Sequence, residues 1–324
     1  MHCELVVPGL FGAAMRRNEA VRFAALELLL ARGRSRAAPA RRLEDWLREA
    51  FDLGEGPFPA GALTMLACGG DQGEAASALS YIRADPVHLR VMRDHLVVMP
   101  ADAFDLSGQE ANALCDALNS HFADMNFTAC EPRRWCARVS EALSFDAGNP
   151  LDAAGKDVEL PGQAAALLNE AQMVLHAHPA NEAREARGEP TVNSLWLWGS
   201  GRATPARCAW QSVAADDPAV IGAARLAGAR HRPLPRTARD WLERLPEDGR
   251  HLALLDALRK QPENAVLDEL ERDWFAPLLA ALRAGRIGMV TLHVPDAAEA
   301  LSFETIRGDL RRFWRMPKSI ERYA

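Results

Sequence analysis

Short apolar runs that end at turn residues alternate with helical spacing near both ends of the chain, and this alternation limits the folds open to it. Residues 5–7 (Leu-Val-Val) end at Pro8, and residues 251–255 form a second run of this kind. Continuous apolar runs of this length are typical of strands that are buried on both faces of a parallel sheet. Helical spacing follows over residues 17–31 and 264–284. The ends of the chain therefore predict an α/β fold with a doubly wound sheet.

The middle of the chain has a different order of elements. A strand ends at Pro100, and a capping-box pattern opens a helix at Ser107. Residues 125–139 favour two paired strands, and helical spacing follows over residues 161–177. A strand, a helix, two strands and a helix make an α+β pattern. We therefore predict an inserted α+β domain over residues 79–193.

The two flanks of this insertion, residues 1–78 and 194–324, are predicted to form one core domain. Within it, residues 63–68 fit either a strand or a buried helical turn. Near the end of the chain, residues 303–313 place large apolar side chains at a spacing typical of one helix face. We predict an amphipathic helix there.

The composition is that of an ordinary globular protein, and it excludes several partners. Of the 324 residues, 48% are hydrophobic and 25% are charged. The net charge of -6 offers no general attraction to a polyanion, so we expect no nucleic-acid partner. No run approaches the roughly 18 apolar residues of a membrane span, and the start lacks the pattern of a signal peptide. We therefore expect a cytoplasmic protein without a membrane partner. The 6 cysteines lack the spacing of a zinc site, which favours reduced thiols.

One segment combines a helix start with charged and amide side chains. Pro179 suits the first turn of a helix, with His178 at its N-cap and with Asn181 and Arg184 on one face. A helix N-terminus offers free N–H groups and a partial positive charge, so His and Arg beside it favour an anionic ligand. The alternative is that Asn181 and Arg184 only cap and bridge neighbouring elements. The spacing alone leaves both interpretations open.

A second cluster surrounds the turn predicted at Asp85. Arg83 and His88 lie on either side of this turn and are further candidates for binding an anion. The alternative is a solvated turn. Farther along, Trp196 and Trp198 alternate with leucines and so share one face of a predicted strand, which favours a place in the core rather than a ligand platform.

The run HPANEAREARGEPTVNSLWLWGSG, residues 178–201, resembles a stretch of the archaeal-type cofactor-independent phosphoglycerate mutases. In those enzymes a His-Pro-x-Asn-x-x-Arg helix precedes a strand that ends in a Gly-rich turn. Together with RADPVHLR at residues 83–90, the chain resembles still more closely the RpfE-type bacterial regulatory proteins, a mutase-like family. The resemblance implies an alkaline-phosphatase-like α/β core with an inserted α+β domain, in agreement with the pattern of elements.

The resemblance also implies a chemistry that this chain departs from. The mutases hold two divalent metals with Asp and His and use a nucleophilic Ser, because phosphoryl transfer needs its developing charge neutralised. Here the first strand ends at Pro8-Gly9 without the expected Asp, and only Asp256, His293 and Asp296 remain as candidate ligands. We therefore predict no metal site, no cofactor and no catalytic residues.

The prediction that follows is a catalytically degenerate, mutase-like protein with a regulatory or metabolite-sensing role. A small anionic metabolite would bind in a cleft between core and insertion, and a protein partner is a further expectation. The predicted ligand-binding residues are Arg83, His88, His178, Asn181, Arg184 and Asn193. A metal-dependent phosphoglycerate mutase or phosphotransferase and a protein-interaction scaffold are the alternatives.

Overall fold

The structure is a computed structural model that describes residues 1–14, 22–38, 42–69, 79–92, 96–140, 146–158, 162–246, 248–296 and 300–323. The chain divides into two compact units. The first unit comprises residues 1–52, 206–217 and 224–324, and the second comprises residues 53–205 and 218–223.

The strands among the described residues are numbered in chain order. They are β1 (His2–Val6), β2 (Arg34–Ala38), β3 (Ser80–Val91), β4 (Leu96–Pro100), β5 (Asn126–Glu131), β6 (Arg134–Val139), β7 (Asp157–Val158), β8 (Ser194–Gly201), β9 (Ser212–Ala214), β10 (Arg230–Arg232), β11 (Arg250–Leu254), β12 (Met289–Val294) and β13 (Ala300–Ile306).

The α-helices of the same residues follow the same convention. They are α1 (Leu10–Ala14), α2 (Ala24–Arg32), α3 (Leu43–Ala50), α4 (Ala60–Ala67), α5 (Gly108–His121), α6 (Pro150–Ala153), α7 (Ala165–His176), α8 (Pro179–Ala186), α9 (Pro218–Leu226), α10 (Ala238–Arg244), α11 (Ala257–Lys260), α12 (Asn264–Leu270) and α13 (Ala276–Ala284). A π-helical turn, Glu271–Phe275, joins α12 to α13.

The first unit is built on a seven-stranded sheet in the order β10-β9-β11-β1-β12-β13-β2. The strands from β10 to β12 are parallel, and β13 and β2 are antiparallel to their neighbours. Cys3 and Leu5 of β1 belong to an apolar core that also contains side chains of α2 and α13. The opposite face carries His293 of β12, whose ring centroid lies 5.0 Å from that of Trp46 in α3. Helices on both faces of a mainly parallel sheet confirm the predicted α/β class.

The second unit is built on a sheet in the order β5-β6-β3-β4-β7, with β8 paired to β3. A core of apolar side chains from this sheet and from α5 and α7 includes Trp135, Leu114 and Leu168. Ser107 caps α5, and the capping box with Glu110 is complete, as the sequence predicts. The predicted domain boundaries at residues 79 and 193 lie inside this unit, because β8 hydrogen-bonds with β3.

Helix α4 lies close to its neighbours in the second unit because glycines replace larger side chains at the contacts. A Cβ atom added to Gly61 of α4 would lie 2.7 Å from the backbone of Ile82 in β3. A Cβ atom added to Gly222 of α9 would lie 1.9 Å from the carbonyl oxygen of Leu63. Residues 63–68, which fit two interpretations in the sequence, therefore belong mainly to a packed helix.

Two further findings concern helices. The predicted amphipathic helix over residues 303–313 is wrong, because Phe303 lies in β13 and pairs with β12 and β2. The described part of the chain contains no helix whose length and apolar character would let it cross a membrane.

Candidate functional site

The carboxyl ends of the parallel strands in the first unit form the natural place for a site. In open α/β sheets, ligands bind in the crevice beyond these ends. Val7-Pro8-Gly9 follows β1, Asp256 follows β11 and Asp216 follows β9. Since β9, β11 and β1 are neighbours, these segments lie along one edge of the sheet.

A cavity of about 270 Å³ lies at this edge. Its charged lining residues are predominantly acidic: they are Asp216, Arg236, Asp256, Glu269 and Asp273. A phosphorylated metabolite would meet several carboxylates and a single guanidinium there, so like-charge repulsion opposes its binding. The cavity is better matched to water or to a cation than to an anion.

Burial changes the titration of Asp256 at this edge. Burial raises the pKa of its carboxyl group, and the nearby carboxylate of Asp217 raises it further, whereas Lys260 opposes both effects. The Lys260 ammonium lies 2.8 Å from a carboxylate oxygen of Asp256, one helical turn along α11. Asp256, one of the candidate metal ligands, is therefore already in an ion pair with Lys260.

His293, the second candidate ligand, lies on the sheet face among polar groups of neighbouring strands. Its Nε2 donates to Glu4, 3.1 Å away, and the Arg250 guanidinium donates to the other carboxylate oxygen of Glu4 at 2.8 Å. Burial raises the pKa of Glu4, but the hydrogen bonds from His293 and Arg250 outweigh it and hold the pKa at about 2. His2 lies beside the same carboxylate, with its Nδ1 3.5 Å from Glu4 Oε1.

These positions do not fit a two-metal centre. Two ions about 3.5–4 Å apart need several convergent carboxylate and imidazole ligands. Asp256 pairs with Lys260, His293 pairs with Glu4, and β1 ends without a ligating side chain. Across the described ranges, no group of three or more His, Cys, Asp or Glu side chains has the arrangement of a metal site.

Arg83, the first residue of the predicted anion site, is buried in the second unit. Its guanidinium lies 2.6 Å from Asp85 and 3.2 Å from the Thr64 hydroxyl, over the ring of Trp198 at 5.2 Å. Asp85 also accepts from the indole of Trp198 at 2.7 Å and from the backbone N–H of Trp135 at 3.2 Å. The predicted turn at Asp85 is part of the long strand β3, and the charge of Arg83 is neutralised internally.

His88 and Asn193 join β3 to the residues that precede β8. His88 Nδ1 lies 2.8 Å from the carbonyl oxygen of Thr191. The amide of Asn193 accepts from the N–H of Leu89 at 2.7 Å and donates to its carbonyl at 2.9 Å. Asn193 also lines a groove of about 640 Å³ together with His176 of α7.

The predicted helix that starts at His178 is confirmed as α8, and its three marked side chains serve the structure around it. His178 caps the helix by accepting from the N–H of Ala180 at 3.1 Å. The amide of Asn181 donates to the carbonyls of Leu175 and Val192, each at 2.8 Å, and accepts from the N–H of Val192 at 2.9 Å. Asn181 thereby ties the end of α7 to the segment before β8.

Arg184 is 1% exposed and is enclosed by acceptors. Its guanidinium donates to Glu110 at 3.1 Å, to the carbonyl of Pro190 at 2.8 Å and to that of Asp105 at 2.6 Å, and it lies 5.6 Å from the ring of Phe104. Each of the six predicted residues thus has hydrogen-bond partners within the chain, and the predicted anion site stays a prediction. Trp196 is buried, as predicted, and its indole donates to the carbonyl of Gly148 at 2.8 Å.

The polar network around Glu4 was missed by the sequence interpretation. The sequence feature that could have revealed this network is the alternation of polar and apolar residues in β1, where His2 and Glu4 alternate with Cys3 and Leu5. Such alternation marks a strand with one polar face, whereas the apolar run that follows suggested burial on both faces.

Comparison with known proteins supports the mutase-like resemblance. No family model matches the chain. A 2,3-bisphosphoglycerate-independent phosphoglycerate mutase of Methanosarcina mazei is 28% identical over 176 residues, 47% of this chain and 42% of that protein. The match thus spans about two fifths of the length of this curated relative.

Two solved structures align with most of this chain. The PH0037 protein from Pyrococcus horikoshii has a TM-score of 0.52 at 14% identity, over 94% of this chain and 87% of that one. A cofactor-independent phosphoglycerate mutase from Thermoplasma acidophilum has a TM-score of 0.48 at 17% identity, over 95% and 90% of the two chains. The predicted alkaline-phosphatase-like α/β fold is confirmed, and the closer resemblance to RpfE-type regulatory proteins stays a prediction.

Proposed function

We propose that the chain is a phosphoglycerate-mutase-like protein that has lost two-metal phosphoryl transfer and has a regulatory role in the cytoplasm of a bacterium. The observation that carries this conclusion is the carboxyl edge of the first sheet. There β1 ends in Val7-Pro8-Gly9, and one of the candidate ligands, Asp256, is held by Lys260 at 2.8 Å. Phosphoryl transfer by metals needs charge neutralised at both the entering and the leaving oxygen, and the residues described at this edge do not supply the ligands to place two ions.

An anionic metabolite remains a candidate effector, but the six residues first assigned to it are poor ligands. Arg83 and Arg184 are each 1% exposed, and their guanidinium groups already contact carboxylates and carbonyls. A phosphate would have to displace these contacts and pay the cost of desolvating its own charge. Binding of such a metabolite would therefore use other residues.

The second candidate function is a metal-dependent phosphoglycerate mutase. It is favoured by the 28% identity to the Methanosarcina mazei protein of that name. In this case Asp256 would have to leave Lys260 and bind a metal ion.

One experiment separates the two functions. The purified chain is dialysed with manganese, its bound metal is measured by mass spectrometry, and conversion of 3-phosphoglycerate to 2-phosphoglycerate is followed in a coupled assay. We expect metal well below one ion per chain and no turnover above a protein-free blank. Metal-dependent turnover that is lost in Asp256→Ala and retained in Glu269→Gln, a change in the same cavity, would establish the enzyme instead.

The same preparation tests the metabolite. Addition of 3-phosphoglycerate should raise the thermal unfolding midpoint if it binds the folded chain. A shift that persists in Asn193→Ala and in His88→Ala would show that the effector does not depend on these two residues.

A further inference from the structure

The open edge of the first sheet lies beside a cavity and a strongly basic segment. Strand β2 is the last strand of the sheet, and among the described residues it pairs with β13 alone. Residues 34–37 of β2 are exposed on both of its faces. Backbone N–H and C=O groups on such an edge are a template for a further strand.

The two faces of this edge differ in chemistry. Ser35 lies opposite Phe303 of β13, and both line a cavity of about 640 Å³ that also includes Leu301. Arg34 and Arg36 alternate with Ser35 and so point to the other face of the sheet. The cavity is also lined by Arg315, Lys318 and Arg322, and Arg34 lies opposite Glu304 of β13. A strand added to β2 would therefore place alternate side chains against a cavity of mixed apolar and basic lining, and against the face that carries Arg34 and Arg36.

The segment that closes the other side of the cavity combines aromatic and basic residues. Phe313, Trp314 and Met316 are 74%, 66% and 69% exposed. Residues 311–322 contain five basic residues and one acidic residue, Glu321, in a chain whose net charge is -6. Trp, Met and Arg are residues that protein interfaces favour, and Trp and Arg supply much of the binding energy in them.

We propose that β2 and this cavity dock an extended segment of a partner protein in which apolar residues alternate with Asp or Glu. The segment adds a strand to the edge of the sheet, its apolar side chains fill the cavity against Trp314 and Phe303, and its carboxylates pair with Arg34 and Arg36. Main-chain pairing supplies affinity, and the alternating pockets supply specificity.

Charge and shape favour this partner segment over a second copy of the chain and over a membrane surface. In a second copy of the chain, arginines would meet arginines across the paired edges, and like charges directly opposite each other are destabilising. A membrane surface matches basic and aromatic residues on a convex face, but a flat bilayer leaves a concave cavity and an open strand edge unfilled. The surface is defined by the first unit alone, and it serves the chain whether or not phosphoryl transfer is lost.

The test uses the full chain and a short blocked fluorescent peptide that alternates valine with glutamate. Fluorescence anisotropy at low salt should show saturable binding. A peptide of the same composition with valines and glutamates in separate blocks should bind at least tenfold more weakly. Absence of saturable binding up to millimolar protein, or equal affinity for the two peptides, would overturn the proposal.

Variants then locate the binding surface. Arg34→Glu with Arg36→Glu, and separately Trp314→Ala, should each weaken binding at least tenfold. The thermal midpoint of Trp314→Ala should stay unchanged because this side chain is exposed, and that of the double arginine variant should fall only slightly, because Arg34 lies opposite Glu304 of β13. The control is Arg239→Glu with Arg244→Glu, which makes the same charge change on exposed positions of α10 and should leave the affinity unchanged. Equal weakening by both double variants would show only general electrostatic attraction and refute the docking site.

The backbone is tested with two peptides that carry N-methyl groups on one or the other alternate set of residues. An added strand turns one set of N–H groups toward β2, so one of the two peptides should lose at least tenfold in affinity. If neither peptide loses affinity, strand addition is refuted. Sedimentation with phosphatidylserine vesicles in the absence of peptide binding would assign the surface to a membrane instead.

Discussion

Gly222 of α9 makes the tightest contact described for a glycine in the second unit, and replacing it with alanine tests how rigid that contact is. The added Cβ atom would lie 1.9 Å from the Leu63 carbonyl oxygen, where ordinary contact begins near 3.4 Å. One of the two helices must therefore move by more than an ångström. Overpacking of this kind costs about 1–3 kcal/mol or more, whereas alanine gains about 1 kcal/mol over glycine in a helix. We expect a net loss of roughly 2 kcal/mol.

The measurement is urea denaturation followed by circular dichroism, with Gly108→Ala as the control. Gly108 is also helical and lies in the same unit, but its nearest atom to an added Cβ is Pro132 Cγ at 4.0 Å. We expect this control to stay within about 0.5 kcal/mol of the parent chain. If Gly222→Ala is as stable as Gly108→Ala, the close helix contact at Leu63 does not limit the packing, and the reasoning is refuted.

Three further predictions concern buried side chains. Trp196→Ala should lower the free energy of unfolding by about 3–5 kcal/mol in the same denaturation assay, and a loss below about 1 kcal/mol would place the indole outside the core. Arg184→Ala should cost about 3–5 kcal/mol because it leaves buried acceptors without a donor, whereas Arg187→Ala, at a 48% exposed side chain, should cost much less. Similar losses would contradict the burial argument. The pKa of Glu4 is about 2 in the folded chain, against 4.5 for a glutamate without these contacts. The ionised carboxylate therefore stabilises the folded chain by about 3 kcal/mol above pH 4.5, and this contribution is lost as the pH falls toward 2. The stability difference between the parent chain and Glu4→Gln, measured by urea titration at each pH, should shrink over that interval, and a constant difference would refute the network.

The sequence alone predicted correctly those elements whose start is marked by residues only a few positions apart. The capping box at Ser107 and the proline start of α8 are both present, because caps depend on neighbours three residues away. The spacing of Asn181 and Arg184 also places them on one face of α8. Periodicity says which residues share a face, but it does not say whether that face meets solvent, a ligand or protein. Contacts with Glu110, 74 positions earlier, decide that Arg184 is structural.

The errors arise where distant strands compete with local spacing. Residues 303–313 have the spacing of a helix, yet Phe303 gains partners on both sides from β12 and β2. Long-range pairing also acts near the predicted boundary at residue 193, since β8 belongs to the sheet of β3, more than a hundred residues away along the chain. The docking surface combines residues from β2 and from the end of the chain, and no short window of sequence contains both.

Hydrogen bonds close two of the places where the chain passes between the units, after Asp52 and before Ala206. Within the first unit, the N–H of Arg207 donates to the carbonyl of Phe51 at 2.9 Å. Within the second unit, the hydroxyl of Thr204 donates to the carbonyl of Leu53 at the same distance. Residues 53–205 can thus be treated as one long insertion in the first unit, with its two ends held together by these hydrogen bonds. The entropic cost of closing such a loop grows only with the logarithm of its length. Insertions and deletions in loops of residues 53–205 should therefore cost the first unit little, whereas exchange of the whole segment would also remove the contact between Leu63 and Gly222 of α9.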